Sequence, residues 1–200
     1  NIFENLFLKI SLLIKTPMAA IKPSATVTKN LNQPKLTLQC EIIAKDTITI
    51  RSLDWERSRF DIEFGLRNGT TYNSFLIKGA KTALIDTSHT KFNENWFKLL
   101  KKEIDPKKID YLIVSHTEPD HSGLISDLLN LNPEIEIYAS KVAIQFLENQ
   151  LHKKFKSTIV KTGSHLDLGI NPSSGIQHQF EFLSTPNLHW PDTIFSFDHG

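Results

Sequence analysis

The sequence predicts a layered α/β (α+β) fold with mixed sheets. Three observations lead there. From Thr37 to Ile85, short runs of apolar and β-branched residues are separated by turn residues, as in an antiparallel meander. From Phe92 onward, stretches with helical spacing alternate with short apolar runs, as in successive strand–helix units. No internal repeat or low-complexity segment interrupts either pattern.

Taken in order, residues 1–17 are apolar but broken by Glu4, Lys9 and Lys15, and the stretch Leu6 to Ile14 is too short to span a bilayer. From Asn5 to Cys40 there is no Asp or Glu. Residues 1–36 therefore read as a disordered or leader-like N-terminal extension. A disordered extension is preferred to an organellar transit segment, because no arginine occurs before Arg51. Residues 37–200 form the folded domain. Leu38 to Ile50 supplies strands around a turn at Lys45-Asp46, and Phe60-Asp61-Ile62-Glu63-Phe64 alternates as a half-buried strand does. Asn68-Gly69 signals a tight turn, and Thr71 to Ile77 and Thr82 to Ile85 are strands joined at Gly79.

Phe92, Trp96, Leu100 and Ile104 have helical spacing, and Asp105-Pro106 ends that helix. Ile109 to Val114 reads as a buried strand, Leu124 to Leu129 as a helix, and Ile135 to Tyr138 as a strand. Val142 to Leu151 is a helix and Thr158 to Val160 a short strand. His165 is assigned to a loop. Gln179 to Leu183 is the last clear strand, and Phe195 to Gly200 stops on a hairpin turn. The chain starts at Asn1 and not at Met, so both ends read as cut and the domain as incomplete at its C-terminus.

A net charge of +1 provides no field for nucleic acid or an anionic membrane, so neither is an expected partner. One cysteine, Cys40, excludes an internal disulfide and any site built from several cysteines.

The chemistry concentrates in Ser115-His116-Thr117-Glu118-Pro119-Asp120-His121-Ser122-Gly123, straight after the buried strand. Alternation sends His116, Glu118 and Asp120 one way, and a turn before Gly123 brings His121 beside them. Imidazole plus carboxylate is a ligand set for iron, manganese or zinc.

His-x-Glu-x-Asp-His after a buried strand resembles the signature of the flavodiiron branch of the metallo-β-lactamase superfamily, where hydrolase members carry His in place of Glu118. Leu188-His189-Trp190-Pro191-Asp192 is similar to that branch's next ligand motif. Ile50 to Trp55, Arg59 to Leu66 and Asn68 to Phe75 resemble the diflavin flavoproteins of cyanobacteria. The resemblance implies a metallo-β-lactamase-like αββα sandwich and an oxidoreductase with two iron ions. It implies that His116, Glu118 and His189 bind one iron and that Asp120 and His121 bind the other, although the histidine matching His121 sits off the metal in some members. It implies FMN on another domain or a partner subunit of a homo- or hetero-dimer, since no FMN phosphate loop is visible here. The implied substrate is dioxygen or nitric oxide, and the electron donor NAD(P)H or a ferredoxin-like carrier. The implied location is cytoplasmic in a cyanobacterium, with the chloroplast stroma second.

Three functions stay open: a di-iron oxidoreductase, a dizinc hydrolase of the same fold, and an inactive truncated fragment. Glu118 favours the first over the second. Asp86 reads as a group orienting the site loop or as a strand-end cap, and His89 as a surface histidine. His152, His165 and His178 lack a ligand neighbour at useful spacing. Trp55, Trp96 and Trp190 read as packing residues, with Trp190 beside the site.

Overall fold

The computed structural model describes residues 36–60 and 64–200. The expected extension, apart from Leu36, lies outside the described residues, as do Asp61, Ile62 and Glu63.

Twelve strands are named in chain order among the described residues. They are β1 (Leu36–Ala44), β2 (Thr47–Asp54), β3 (Arg59–Phe60), β4 (Phe64–Gly65), β5 (Thr70–Lys78), β6 (Thr82–Ile85), β7 (Tyr111–Ile113), β8 (Glu136–Ala139), β9 (Lys156–Ile159), β10 (His165–Ile170), β11 (Gln177–Ser184) and β12 (Ile194–Asp198). The α-helices are α1 (Asn93–Glu103), α2 (Pro119–Ser122), α3 (Ile125–Leu131) and α4 (Lys141–Leu151). Seven strands form one sheet in the order β1-β2-β5-β6-β7-β8-β9, and β10-β11-β12 form a second. The pairs from β1 to β6 are antiparallel. Those from β6 to β9 are parallel. The meander followed by strand–helix units is therefore the observed order.

Side-chain alternation on the central strands separates two cores. Leu112 and Val114 enter the cluster that also holds Trp96, Leu100, Leu128 and Leu147, on the helical side. Ile113, between them, enters the cluster with Phe180, Phe182 and Ile194, on the side of the second sheet. A strand buried on both faces reads as a continuous apolar run, and Tyr111-Leu112-Ile113-Val114 is one. The described layers are thus helices, large sheet, small sheet.

Three sequence-based assignments need correction. Phe60 and Phe64 do not lie on one strand: Phe60 belongs to β3 and pairs with Phe64 of the antiparallel β4. Phe64 is 62% exposed, so the alternation had no second layer to bury it. His165 opens β10 and does not lie on a loop. The segment after Phe195 is not a turn: β12 pairs with β11 from Ile194 to Asp198. Both strands are short, and in β12 the alternating Phe195 and Phe197 are half exposed, so pairing in the sheet is what orders them. Trp55 also differs from expectation. It is 38% exposed and donates to Thr37 Oγ1 at 2.8 Å, while Trp96 is fully buried.

The parallel arrangement places the site. The carboxyl ends of β6, β7 and β8 run to one edge of the sheet. Thr87-Ser88, the His116 loop and Ser140 follow those ends and meet there, at the edge where α/β sheets gather ligands.

Candidate metal centre

The ligand loop leaves β7 at Ile113 and is held from both sides. Ser115 N–H donates to Asp86 Oδ1 at 2.8 Å, and Ser115 O accepts from Ile194 N–H at 2.9 Å. His116, Thr117 and Glu118 are all buried. Pro119 then starts α2, where a proline's fixed φ and missing N–H cost nothing. The extended alternation therefore ends at Glu118, and Asp120 and His121 are presented from a helical turn. Gly123 closes that turn against the loop after β6. A Cβ there would lie 2.8 Å from Ser88 O.

His189 arrives on the loop between β11 and β12. Asn187 takes a positive φ of 62°, and Trp190 N–H donates to Thr193 Oγ1 at 2.9 Å. The result is a convergence on one oxygen. Glu118 Oε2 lies 3.2 Å from His116 Nε2 and 2.9 Å from His189 Nε2. The three donor atoms lie within 4.8 Å of one another.

Asp120 and His121 form the neighbouring pair. The His121 ring centroid is 4.1 Å from that of His116. His121 Nε2 is 3.7 Å from Asp120 Oδ2, and its Nδ1 is 2.9 Å from Asp86 Oδ2. All five sequence-selected residues are thus brought to one place: three meet at a single point, and two lie beside it. Trp190 stands at the wall, its ring 5.9 Å from that of His116. His152, His165 and His178 lie elsewhere. His89 is not a plain surface histidine: it caps a 3-10 turn by accepting from Lys91 N–H, and it stacks on Tyr72.

The electrostatics suit ligation. Burial pushes the Glu118 carboxyl up, but the hydrogen bonds from His189 and His116 outweigh it and hold it below the ordinary carboxylate range. Burial lowers His116, and the nearby His121 lowers it further. Both groups therefore keep their unprotonated, metal-binding forms near neutrality. Burial lowers His121 as well, yet the hydrogen bond and charge of Asp86 reverse this and leave it raised.

His116, Glu118 and His189 fit a metal ion. Donors at right angles on bonds of about 2.1 Å sit about 3 Å apart, the spacing seen around Glu118 Oε2. Asp120 Oδ1 is buried with no hydrogen-bond partner among the described residues, as a carboxylate oxygen awaiting a cation would be. A cleft of about 660 Å³ reaches the site, lined by Phe75, Ile85, His116, Phe180, His189 and Phe195 among others.

Comparison with known proteins identifies the family and the fold. Over 166 residues the chain is 58% identical to the diflavin flavoprotein A 1 of Synechocystis sp. PCC 6803, covering 83% of this chain and 28% of that protein. The family described as ODP family beta lactamase matches residues 70–200. The chain belongs to the flavodiiron protein family. Among solved structures, the metal-soaked Flv1 flavodiiron core from Synechocystis sp. PCC 6803 superposes on this flavodiiron chain with a TM-score of 0.74 and 34% identity, covering 83% of this chain and 40% of that one. The rubredoxin oxygen:oxidoreductase of Desulfovibrio gigas gives 0.71 and 32%, covering 80% and 38%. The fold is accordingly the metallo-β-lactamase-like one. The flavodiiron chain spans well under half the length of these relatives.

The sequence reading gave no role to Asp192, although it sits inside the His189 motif. The signal available was a carboxylate three residues from a ligand, directly after Trp190-Pro191.

Proposed function

We propose that this chain is the di-iron-binding domain of a flavodiiron oxidoreductase that reduces dioxygen to water. Residues 37–200 make up the domain. His116, Glu118 and His189 hold one iron, and Asp120 and His121 the other. The observation that supports this most is the convergence of two imidazole nitrogens on Glu118 Oε2. A bound iron pair supplies electrons to one small oxidant. The chain's own residues set the conditions for that. Glu118 and Asp120 contribute negative charge and hard oxygen donors, which favour iron over the zinc pair of a hydrolase. Asp86 holds the Nδ1 proton of His121, leaving Nε2 free to ligate. Trp190 packs beside His116, and the cleft that reaches the site gives a small oxidant access to it.

Electrons would come from NAD(P)H or a ferredoxin-like carrier through FMN, carried by another domain or by the partner in a dimer. A cyanobacterial cytoplasm is the location this implies. No helix among the described residues is long and apolar enough to cross a membrane. A second reading, reduction of nitric oxide, is favoured by one relative: the chain is 37% identical over 150 residues to the nitric oxide reductase of Moorella thermoacetica.

The test is competitive loading. The chain and its Glu118→His variant are reconstituted anaerobically with equal ferrous iron and zinc, and metal content is read by elemental analysis. Zinc outcompetes ferrous iron at most nitrogen and oxygen sites, so the readout is the change between the two proteins: the iron-to-zinc ratio should fall in the variant. A ratio that is unchanged or higher in the variant would remove Glu118 as the iron-selecting ligand and move the assignment to a hydrolase. No retained metal in either would remove the assignment for this chain.

A further inference from the structure

We propose that Asp192 is a positioning residue that registers the His189 loop against the His116–His121 loop, and so sets the spacing of the metal-binding atoms; the inference rests on the metal-centre reading above. Asp192 is 1% exposed. Its Oδ2 accepts two hydrogen bonds from one residue, Thr117 N–H at 2.7 Å and Thr117 Oγ1–H at 2.8 Å. Thr117 lies between His116 and Glu118, so fixing its amide and its side chain fixes the peptide units on both sides. Asp192 touches neither ligand. It acts on them through Thr117.

Two further links make this a brace and not a single contact. Ser140 Oγ donates to Asp192 O at 2.9 Å and also accepts from Ala143 N–H at the start of α4. Ile194 N–H donates to Ser115 O at 2.9 Å. The segment 192–194 is therefore tied to 115–117 at both ends, with its backbone anchored to a helix start. His189 is three residues upstream, on a turn closed by Asn187 N–H to Trp190 O at 3.0 Å. Besides the direct contact of His189 Nε2 with Glu118 Oε2 at 2.9 Å, this tie links the His189 loop to the backbone between the two ligands His116 and Glu118. A carboxylate is a costly group to bury. One of its oxygens, Oδ1, has no hydrogen-bond partner among the described residues.

The experiment uses the full chain with Asp192→Ala and Asp192→Asn, cobalt(II) as the metal probe, and two readouts. One is the visible absorption titration of cobalt. The other is amide hydrogen exchange at His116 and Thr117, compared with β2 and β5. In Asp192→Ala, Thr117 exchange should rise about tenfold or more, while the strand amides stay within about twofold. The cobalt dissociation constant should rise about ten- to a hundredfold and the absorption bands should shift. Asp192→Asn keeps an acceptor for both Thr117 bonds and should restore most of the exchange protection and the band positions. Unchanged Thr117 exchange in Asp192→Ala would overturn the brace. So would strand amides that loosen in step with Thr117, or an Asn variant as damaged as the Ala one. A parent chain that takes up no cobalt would count against the metal centre itself, and the exchange comparison would still decide the brace.

Discussion

His121 Nδ1 lies 2.9 Å from Asp86 Oδ2, and this contact decides which nitrogen of His121 faces the site. With the proton on Nδ1, Nε2 is left as a lone pair pointing toward Asp120. Asp86 holds this position from a left-handed backbone, with φ of 56°. Asparagine tolerates that conformation well, so Asp86→Asn is expected to fold. Its amide can still accept from Ser115 N–H, but its NH₂ would donate to His121 Nδ1 and move the ring proton to Nε2. The second metal should then bind about ten- to a hundredfold more weakly. Nitrogen-15 NMR of the imidazole should report the tautomer change. A variant retaining the Nδ1–H form and full metal content would show that Asp86 does not set the tautomer.

The same contact has a pH consequence. Burial alone would lower His121, and Asp86 overturns this, so the folded-state value lies above the unfolded one. Such a group stabilises the metal-free fold below its unfolded value, and that contribution disappears as pH rises through the folded value. Removing the charge in Asp86→Asn should abolish it. Denaturation midpoints of the metal-free chain, followed from about pH 5 to pH 8 across the usual histidine range, should fall with pH in the parent more than in the variant. Parallel curves would assign the shift to other groups.

How far the sequence foretold this site depends on whether the signal is local. His116, Glu118, Asp120 and His121 fall within six residues after a strand buried on both faces, so the chain itself brings them together. The strand–helix alternation is equally local, and the fold class follows from it. The Asp192–Thr117 tie spans 75 positions and leaves no periodic mark, so only the folded chain reveals it. β12 was hidden for a related reason: Phe195 and Phe197 are half exposed, and the strand is defined by pairing with β11. Phe64 erred the other way: it stands in a strict alternation in the sequence, yet is 62% exposed.

Gly123 should not tolerate a side chain. A Cβ would lie 2.5 Å from Pro119 O, 2.8 Å from Ser88 O and 3.0 Å from Thr90 N, all backbone atoms that cannot rotate away. Gly123→Ala should push α2, with Asp120 and His121, off the loop after β6. Its expected cost is about 1–3 kcal/mol, as for overpacking elsewhere. Bound metal should fall out of proportion to that loss. Urea denaturation beside metal analysis checks both, and an alanine variant with parental stability would mean the two loops separate freely.

Trp96 anchors the helical core by one polar contact. The ring is fully buried, and its Nε1–H donates to the buried Ser74 Oγ at 2.9 Å. Ser74→Ala leaves that N–H without an acceptor in a dry interior, at a cost of about 1–3 kcal/mol. The tryptophan fluorescence maximum of the folded state should shift little, since the packing is kept, while the denaturation midpoint falls. A midpoint unchanged within error would mean that another acceptor takes the N–H.

Asp54 should govern the acid side of the stability curve. It is 1% exposed, and Oδ2 accepts from Tyr72 O–H at 2.8 Å and from Lys91 Nζ. Burial raises this carboxyl, but the hydrogen bonds from Lys91 and Tyr72 outweigh burial and hold it below its ordinary value. A depressed folded value contributes stability that is present above the unfolded value, about 3.9, and is lost as pH falls through the folded one. Asp54→Asn cannot ionise, so it lacks this contribution at every pH. The gap between parent and variant should be widest near neutrality, about 1.5–3 kcal/mol for a hydrogen bond to a charged group, and should shrink as pH falls through the folded value. Tyr72 supports the assignment, because burial and the Asp54 charge both raise its phenol and keep the proton that bonds Oδ2. Urea denaturation of both proteins from pH 7 downward measures the gap, and one that stays constant into acid would place the acid-sensitive carboxylates elsewhere in the chain.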